Sequence, residues 1–376
     1  MYGVRCMAYV NDSERVIRVL TYKEIDRGEW SRLVQTSATG TWFQTPEAFE
    51  FFESMPQLFM PFAIAVERVN ELTDERTLRG VCVGYVTVER NPIKQYFTRR
   101  AIIIGGPALA DDASSEEVEL LMNGLKELMS ERINGAPIYI ETRNFNDYSR
   151  WRNAFEHCGD HPRRRPLLPF RWKDAPGFEY KRHLNFHVDC TDEEKMWVRL
   201  SKSRQKQIRR AMRSGVEVVE PAEEDVKKWY AILQEMYRQK VKLPLLPMDF
   251  FLNAYRSGNA KYLMVKYNGE VIGGLMFEMD EKSVYEWYVC GLDSAYERQY
   301  PSVVATYAGM EYANAHGRRC CDLMGAGEPG VPYGVRDFKE RFGGQLVEHG
   351  RLVCVREPLL YKIGVLGVKM IKGNKN

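Results

Sequence analysis

The 376-residue sequence lacks several features that would narrow its function at once. It has no run of 18 apolar residues, which excludes a membrane-spanning helix. Its first twenty residues carry early charges and no long apolar core, so we predict no signal peptide. The charges are nearly balanced, with 54 Lys+Arg against 51 Asp+Glu. Bulk charge therefore does not indicate a nucleic-acid-binding protein, and any basic surface must be local.

The eight cysteines include no Cys-x-x-Cys pair. They are scattered, mostly through apolar, strand-like segments: Cys6, Cys82, Cys158, Cys190, Cys290, Cys320, Cys321 and Cys354. This pattern argues against a zinc site or a disulfide framework and favours reduced, buried thiols in a cytoplasmic protein. Hydrophobic residues make up 44% and charged residues 28% of the chain, the balance of a soluble globular protein. We therefore expect no bound metal.

The predicted secondary-structure elements follow the same order in both halves of the chain. The order strand, helix, hairpin, strand, helix, strand, helix and strand is predicted in the first half and again in the second. A Pro- and Arg-rich connection at 161–178 separates the halves. We predict an α/β (mixed α+β) fold with two tandem domains at 1–178 and 179–358, each a mixed central sheet flanked by helices.

The tail at 359–376 is apolar and carries Lys362, Lys369, Lys372 and Lys375. It is too short to cross a bilayer. Packing onto the second domain is the ordinary interpretation, and lying on a membrane surface is the alternative.

A long helix predicted over 191–214, capped by Thr191, carries seven basic residues and no acid between 199 and 213. At about 100° per residue, six of them share one face: Arg199, Lys202, Lys206, Arg209, Arg210 and Arg213. This face is either a solvated helix surface or a binding surface for nucleic-acid phosphates or anionic lipid headgroups. Arg204 projects into the apolar face, where it must find an acceptor, in a structural ion pair or in a ligand.

Three segments of the second half carry the most specific pattern. A helix that starts after a proline ends in Ala313-x-x-x-Gly317, a strand ends in Asp322-x-x-Gly325, and Phe-Lys-Glu-Arg-Phe-Gly at 338–343 follows a glycine-rich loop. Together with SRQKQIRRAMRSGVEVVE, they resemble the Fem-type peptidoglycan-bridge aminoacyltransferases (FemAB-like) of the Gcn5-related N-acyltransferase (GNAT) superfamily. TWFQTPEAF and IIIGGPAL in the first half extend the resemblance more loosely. It implies two tandem GNAT-like domains, with the active site in the second.

The resemblance implies transfer of an aminoacyl group from aminoacyl-tRNA to an amine of a nucleotide- or lipid-linked peptidoglycan precursor. Acyl transfer needs a group that stabilises the developing oxyanion, and the resemblance assigns Lys339 to the acyl-donor site as that catalytic cation. The predicted substrate-binding residues are Tyr288, Asp322, Phe338, Arg204, Arg238 and Lys242. Purely structural roles are the alternative for these residues. No general base stands out.

The segment ERQYPSVVAT stands where acetyl-CoA-dependent members carry a glycine-rich pyrophosphate loop. It has no glycine, and Pro301 removes one N–H donor. We therefore expect no cofactor and disfavour coenzyme A without excluding it. Two alternatives remain: an acyl-CoA-dependent N-acyltransferase acting on a sugar or envelope-glycan amine, and a non-catalytic glycan- or RNA-binding module. We expect a cytoplasmic location, and weigh peripheral contact with the inner membrane surface.

Overall fold

The computed structural model describes residues 8–10, 15–130, 136–158 and 176–373. The chain divides into two compact units, Met1–Arg182 with His349–Met370 and His183–Glu348 with Ile371–Asn376. Each unit is built on one mixed sheet flanked by helices, as predicted. Most of the connection predicted at 161–178 lies outside the described residues, as does Cys6.

The described strands, in chain order, are β1 (Ala8–Val10), β2 (Arg15–Thr21), β3 (Phe59–Asn70), β4 (Glu75–Thr87), β5 (Arg100–Gly105), β6 (Ala108–Leu109), β7 (Tyr139–Asn144), β8 (Glu179–Lys181), β9 (Asn185–Asp189), β10 (Val216–Val219), β11 (Lys261–Tyr267), β12 (Glu270–Met279), β13 (Ser283–Gly291), β14 (Cys320–Gly325), β15 (Gln345–Val347) and β16 (Arg351–Val355). The α-helices are α1 (Arg27–Thr36), α2 (Pro46–Glu53), α3 (Pro92–Thr98), α4 (Ser115–Ser130), α5 (Arg152–His157), α6 (Glu193–Arg199), α7 (Lys202–Arg213), α8 (Glu223–Met236), α9 (Met248–Ser257), α10 (Pro301–Ala315), α11 (Gly334–Glu340) and α12 (Pro358–Gly373).

The first sheet has the order β1-β2-β3-β4-β5-β7-β16-β8, with β6 beside β4, and only β5 and β7 pair in parallel. Helix α4 buries Leu121 and Leu125 against this sheet. Gln44, from the segment TWFQTPEAF, is fully buried and links β4 to β5. Its amide donates to the carbonyl oxygens of Val83 (3.1 Å) and Ile104 (2.9 Å). This glutamine therefore replaces missing strand pairing and has a structural role.

The second sheet has the order β10-β11-β12-β13-β14-β9-β15, and only β13 and β14 pair in parallel. Helix α10 packs on one face, where Phe277 of β12 meets Tyr312 with ring centroids 4.9 Å apart. Helices α8 and α9 cover the other face, where Tyr262 of β11 contacts Trp229. The sheet is thus covered on both sides, which explains the nearly continuous apolar pattern of β12.

The hairpin expected from QLVEHGRLVCV does not form. β15 pairs with β9 in the second sheet, whereas β16 pairs with β7 and β8 in the first. Residues 349–358 therefore leave the predicted second domain and rejoin the first unit. The signal was the run Leu352, Val353 and Cys354, all buried, which is typical of a central strand and not of an exposed hairpin.

The single helix predicted over 191–214 is also wrong, because α6 and α7 are separate. α6 ends at Arg199, and Ser201 caps α7, where its side chain accepts a hydrogen bond from the Arg204 amide at 3.3 Å. The cap of α6 is Asp192, which accepts from the Lys195 amide at 3.0 Å, and not Thr191. A serine followed by a helical segment carries this N-cap signal in the sequence as well.

The tail forms α12. Tyr361 packs edge-to-face on Tyr139 of β7, with ring centroids 5.1 Å apart, so the first unit and not the second receives this part of the tail. Leu359, Ile363 and Leu366 are at least half exposed. Among the described residues, no helix is both long enough and apolar enough to span a membrane.

Candidate active site

The two parallel strands of the second sheet separate soon after they pair. β13 and β14 are in register only from Ser283–Cys320 to Tyr285–Asp322. Beyond that point β13 continues to Gly291, with a bulge opposite Met276 and Phe277, and β14 continues to Gly325. We call this divergence the fork, and define it by Glu286, Asp322, Leu323–Gly325 and Lys339. The β14 carbonyl groups in the fork can accept hydrogen bonds from side chains, because β13 no longer pairs with them.

Lys339 lies in α11 and is buried, with 8% of its surface exposed. Its Nζ donates to the carbonyl oxygen of Gly325 at 3.0 Å and to that of Leu323. Burial lowers the pKa of Lys339, while Glu286 and Asp322 oppose that shift. The predicted cation therefore lies in the fork, held by two carbonyl groups of β14.

Glu286 is the first β13 residue beyond the paired segment, and sequence reasoning did not select it. Both of its carboxylate oxygens are buried without a hydrogen-bond partner among the described residues. Burial raises the pKa of Glu286 to about 7, against the opposing effect of Lys339. A carboxyl group with a pKa near neutrality can accept and release a proton, so the fork holds a candidate acid–base group. The available signal was an acidic residue inside the apolar strand VYEWYVCGL.

Asp322 faces the fork from β14 and is almost fully buried. One carboxylate oxygen accepts from the Met324 amide at 2.6 Å, and the other lies 3.4 Å from His187 Nε2. The first bond stabilises Met324 at a φ of 62°, a left-handed conformation that side chains rarely adopt. Burial lowers the pKa of His187, but Asp322 outweighs it and leaves that pKa raised. These contacts give Asp322 a structural role in shaping the fork, and a direct substrate contact stays a prediction.

Arg204 finds an acceptor, but not a carboxylate. Its guanidinium donates to the Phe338 carbonyl oxygen at 3.2 Å and to the Gln207 side chain at 2.7 Å. It also lies over the rings of Phe338 and Phe342, 4.5 and 4.9 Å from their centroids. Burial, assisted by Arg341, lowers its pKa to about 10. Of the two alternatives for Arg204, the structural ion pair does not form among the described residues, and Arg204 and Phe338 instead join α7 to the helix that carries Lys339. A direct substrate contact by either stays a prediction.

Two further features fix the position of α11. Arg336 donates to the carbonyl oxygens of Ala326 (2.9 Å), Val331 (3.0 Å) and Glu328, and so ties the glycine-rich loop to the helix. Gly343 has a φ of 75°, and a Cβ there would collide with the Arg199 carbonyl oxygen. The glycine that follows Phe342 is thus required by close packing of two backbones.

The other predicted substrate residues lie outside the fork cluster. Tyr288 contacts Phe251 of α9, with ring centroids 5.0 Å apart, and so faces α9 and not the α10 side on which Glu286 lies. Arg238 is exposed and donates to Glu235 at 2.8 Å in a π-helical turn after α8. Lys242 ends that turn with a φ of 54°. Their proposed substrate contacts stay predictions.

The structure removes one residue from the basic helix face predicted over 199–213. Arg199 is paired with Asp189 at 2.9 Å at the end of α6. The other five lie on α7 with exposed side chains and, among the described residues, form no ion pair: Lys202, Lys206, Arg209, Arg210 and Arg213. We call these five the α7 basic face.

The N-terminus of α10 holds a carboxylate of the protein itself. Asp293 accepts from the Ser302 amide at 3.1 Å and from the Ser302 hydroxyl at 2.6 Å. The helix begins at Pro301, which has no N–H to offer. An anionic pyrophosphate at this helix end would meet the Asp293 charge instead of free N–H donors. The described residues of this chain therefore do not fit a coenzyme A pyrophosphate at this position.

No cluster of His, Cys, Asp and Glu in the described part of the chain could hold a metal ion. The seven described cysteines are free thiols. The fork brings together an ammonium, a carboxyl group with raised pKa, and a carboxylate paired with a histidine.

Comparison with known proteins agrees with this geometry. Residues 202–352 match a family model described as an acetyltransferase (GNAT) domain, a segment that contains β13, β14, α10 and α11. This match places a GNAT domain in the second half of the chain and supports acyltransferase activity. No curated protein matches the sequence.

Solved structures extend the likeness to both units. FemX is 14% identical over 90% of this chain and 98% of its own, with a TM-score of 0.64. A tandem GNAT protein from the clavulanic acid biosynthesis pathway is 10% identical over 90% of this chain and 98% of its own, with a TM-score of 0.52. L-PGS from Bacillus licheniformis is 11% identical over 93% of this chain and 98% of its own, with a TM-score of 0.50. At these identities the shared feature is the fold, and the predicted tandem GNAT-like architecture is confirmed.

Proposed function

We propose that this chain transfers an aminoacyl group from aminoacyl-tRNA to an amine of a peptidoglycan precursor, with the reaction at the fork. The observation that carries the proposal is that Lys339 and Glu286 are both buried in the fork. One supplies a positive charge for a developing oxyanion, and the other has a pKa of about 7, near the value a general base needs at neutral pH.

The residues support a simple sequence of steps. The acceptor amine attacks the ester carbonyl carbon of the aminoacyl group, and the carbonyl oxygen gains negative charge. Lys339 stabilises that oxyanion, and Glu286 takes the proton that the nitrogen loses. When the carbon–oxygen bond of the ester breaks, the departing ribose hydroxyl receives a proton from Glu286. The products are an amide and uncharged tRNA, and the carboxylate is restored.

The α10 N-terminus supports a donor other than acyl-CoA. Asp293 and Pro301 oppose a coenzyme A pyrophosphate there. An aminoacyl ester is activated enough for attack by an amine and needs no such site. The motif resemblance and the fold shared with FemX support aminoacyl-tRNA as donor and a nucleotide- or lipid-linked precursor as acceptor.

The α7 basic face supports contact with an anionic donor, because its five cations have no carboxylate partner among the described residues. Contacts with RNA phosphates release counterions, so binding through this face would weaken as salt concentration rises. We place the protein in the cytoplasm, where charged tRNA is found, and propose that the exposed apolar side chains of α12 allow peripheral contact with the membrane surface.

The acyl-CoA-dependent alternative is distinguished by donor choice, and the non-catalytic alternative by the need for Lys339. Muropeptides from cells with and without the gene, compared by mass spectrometry, test the proposal in the cell. We expect the cross-bridge or stem composition to change on deletion and to be restored by the wild-type gene but not by Lys339→Met. An unchanged composition would count against a peptidoglycan acceptor.

A further inference from the structure

A concave site lies in the unit that carries the fork. It is a groove of about 470 Å³ where α6, α7, β10 and α10 meet, and we call it the α7–α10 groove. None of its lining residues belongs to the fork. Its volume is within the range of about 300–1,000 Å³ that is typical of small-molecule sites. The reaction proposed above does not use it.

The aliphatic part of the groove is formed by Ile208 and Met212 of α7, Val218 of β10 and Val304 of α10. Met212 is half exposed and can therefore contact a ligand in the groove. These side chains offer dispersion contacts but no hydrogen bonds. The lining therefore fits a saturated chain better than a polar ligand.

The aromatic residues of the groove are already engaged with each other and with an arginine. Trp197 meets Tyr307 edge-to-face at 5.6 Å, and the Arg209 guanidinium lies 5.0 Å from the Trp197 ring centroid. A planar base would have to displace one of these partners in order to stack. This arrangement disfavours a nucleobase as the occupant.

The charges of the groove are mainly positive. Arg209 and Arg213 line it, and neither forms an ion pair among the described residues. Glu311 lines the α10 side, and its carboxyl group is hydrogen-bonded to Tyr307. Burial raises the pKa of Glu311, the hydrogen bond with Tyr307 opposes that shift, and Glu193 adds to it. Two guanidinium groups, one turn apart on α7, can share the oxygens of one phosphate.

We infer that the α7–α10 groove binds an amphiphile that consists of one alkyl chain and a phosphate headgroup. The chain lies against Ile208, Met212 and Val218, and the phosphate accepts hydrogen bonds from Arg209 and Arg213. The ligand is recognised by both parts together. This separates the groove from the remainder of the α7 basic face, which offers charge alone.

The test is calorimetric titration of the full-length chain with decyl phosphate below its micelle concentration. Inorganic phosphate and decyl maltoside serve as the headgroup and chain controls. We compare the double variant Arg209→Glu/Arg213→Glu with the matched double variant Lys206→Glu/Arg210→Glu, because all four residues are exposed on α7 but only the first pair lines the groove. Val218→Asp tests the aliphatic part.

We expect saturable one-to-one binding of decyl phosphate. The affinity should fall at least tenfold in the Arg209/Arg213 double variant and in Val218→Asp, but less than threefold in the Lys206/Arg210 double variant. Circular dichroism confirms that each variant is folded. Equal losses in the two double variants, or equally tight binding of either control ligand, would overturn the inference, as would the absence of saturable binding.

Discussion

The side chain of Lys339 donates a hydrogen bond to the main-chain oxygen of Gly325, 3.0 Å away. Gly325 is the last residue of β14, beyond the segment in which β14 pairs with β13. A second bond goes to Leu323. An ammonium has three N–H donors, so one remains after these two contacts. The sheet therefore fixes both the position of this cation and the single donor that is available to a reacting oxygen.

Replacing the Lys339 ammonium tests that arrangement. Lys339→Met keeps most of the buried aliphatic volume but removes the donor, and we expect kcat to fall by about 10²–10³, the usual cost of losing one oxyanion donor. The measurement is steady-state acyl transfer with thermal unfolding in parallel. Lys228→Met, at an exposed lysine of α8, is the control. Activity within threefold of wild type in a folded Lys339→Met variant would remove this lysine from the chemistry.

Glu286 predicts a pH dependence of the rate. Its carboxyl group must be ionised to accept a proton, and its pKa is raised to about 7 by burial. The rate should therefore rise with pH and level off above about 7. Glu286→Gln should lower the rate by about 10²–10⁴ and remove this step from the profile. The same midpoint in the wild type and in a Glu286→Gln variant would assign the titration to another group.

The same residue predicts a pH dependence of stability, with a defined sign. The folded-state pKa of about 7 lies above the usual value of 4.5, so the folded chain binds this proton more tightly. As pH rises from about 4.5 to about 7, the carboxyl group ionises in the unfolded chain but stays protonated in the folded chain. The free energy of unfolding therefore falls over this pH range.

The free energy of unfolding of the wild type, relative to Glu286→Gln, should fall by about 3 kcal/mol between pH 4 and pH 8. Urea unfolding at several pH values gives this difference. A difference that does not change with pH would show that Glu286 is not buried as an isolated carboxyl group.

The α10 N-terminus predicts both a stability effect and a donor preference. Asp293→Ala removes the acceptor of the Ser302 amide and hydroxyl, and we expect a loss of about 1 kcal/mol, as for other helix caps. Glu217→Ala, at an exposed carboxylate of β10, is the matched control. Thermal denaturation measures both.

Coenzyme A should give no saturable heat with the wild-type chain at millimolar concentration, because Asp293 presents a negative charge to its pyrophosphate and occupies the Ser302 amide, while Pro301 has no N–H. Micromolar binding to the wild type would instead favour the acyl-CoA-dependent alternative.

Sequence reasoning recovered the architecture because periodicity and local motifs carry it. The two mixed units, the hairpin β3–β4 and the helix after Pro301 all follow from such patterns. The sequence-based prediction failed where a strand pairs with residues that are distant in the sequence. The apolar run Leu352–Cys354 indicates a central strand, but nothing local in it identifies β7 and β8 as its partners. Ser201 is an N-cap signal that indicates the break between α6 and α7. The continuous run of basic residues instead favoured a single helix.

For the candidate site as well, local motifs were predictive, whereas features that depend on residues far apart in sequence were missed. Lys339 and Asp322 were selected from short motifs, and the structure places them together in the fork. Glu286 was missed because its burial depends on where β13 and β14 diverge, which involves residues far apart in sequence. Arg204 was correctly placed on the apolar face, but its acceptors, the Phe338 carbonyl group and the Gln207 side chain, could not be read from helical periodicity.

The most direct measurement is transfer of a labelled amino acid from aminoacyl-tRNA to the amine of a peptidoglycan precursor by the purified chain, without coenzyme A, followed by mass spectrometry of the product. The account predicts an amide product with the wild type and at least a hundredfold slower formation with Lys339→Met. Transfer from acetyl-CoA in place of aminoacyl-tRNA, or undiminished transfer by that variant, would contradict it.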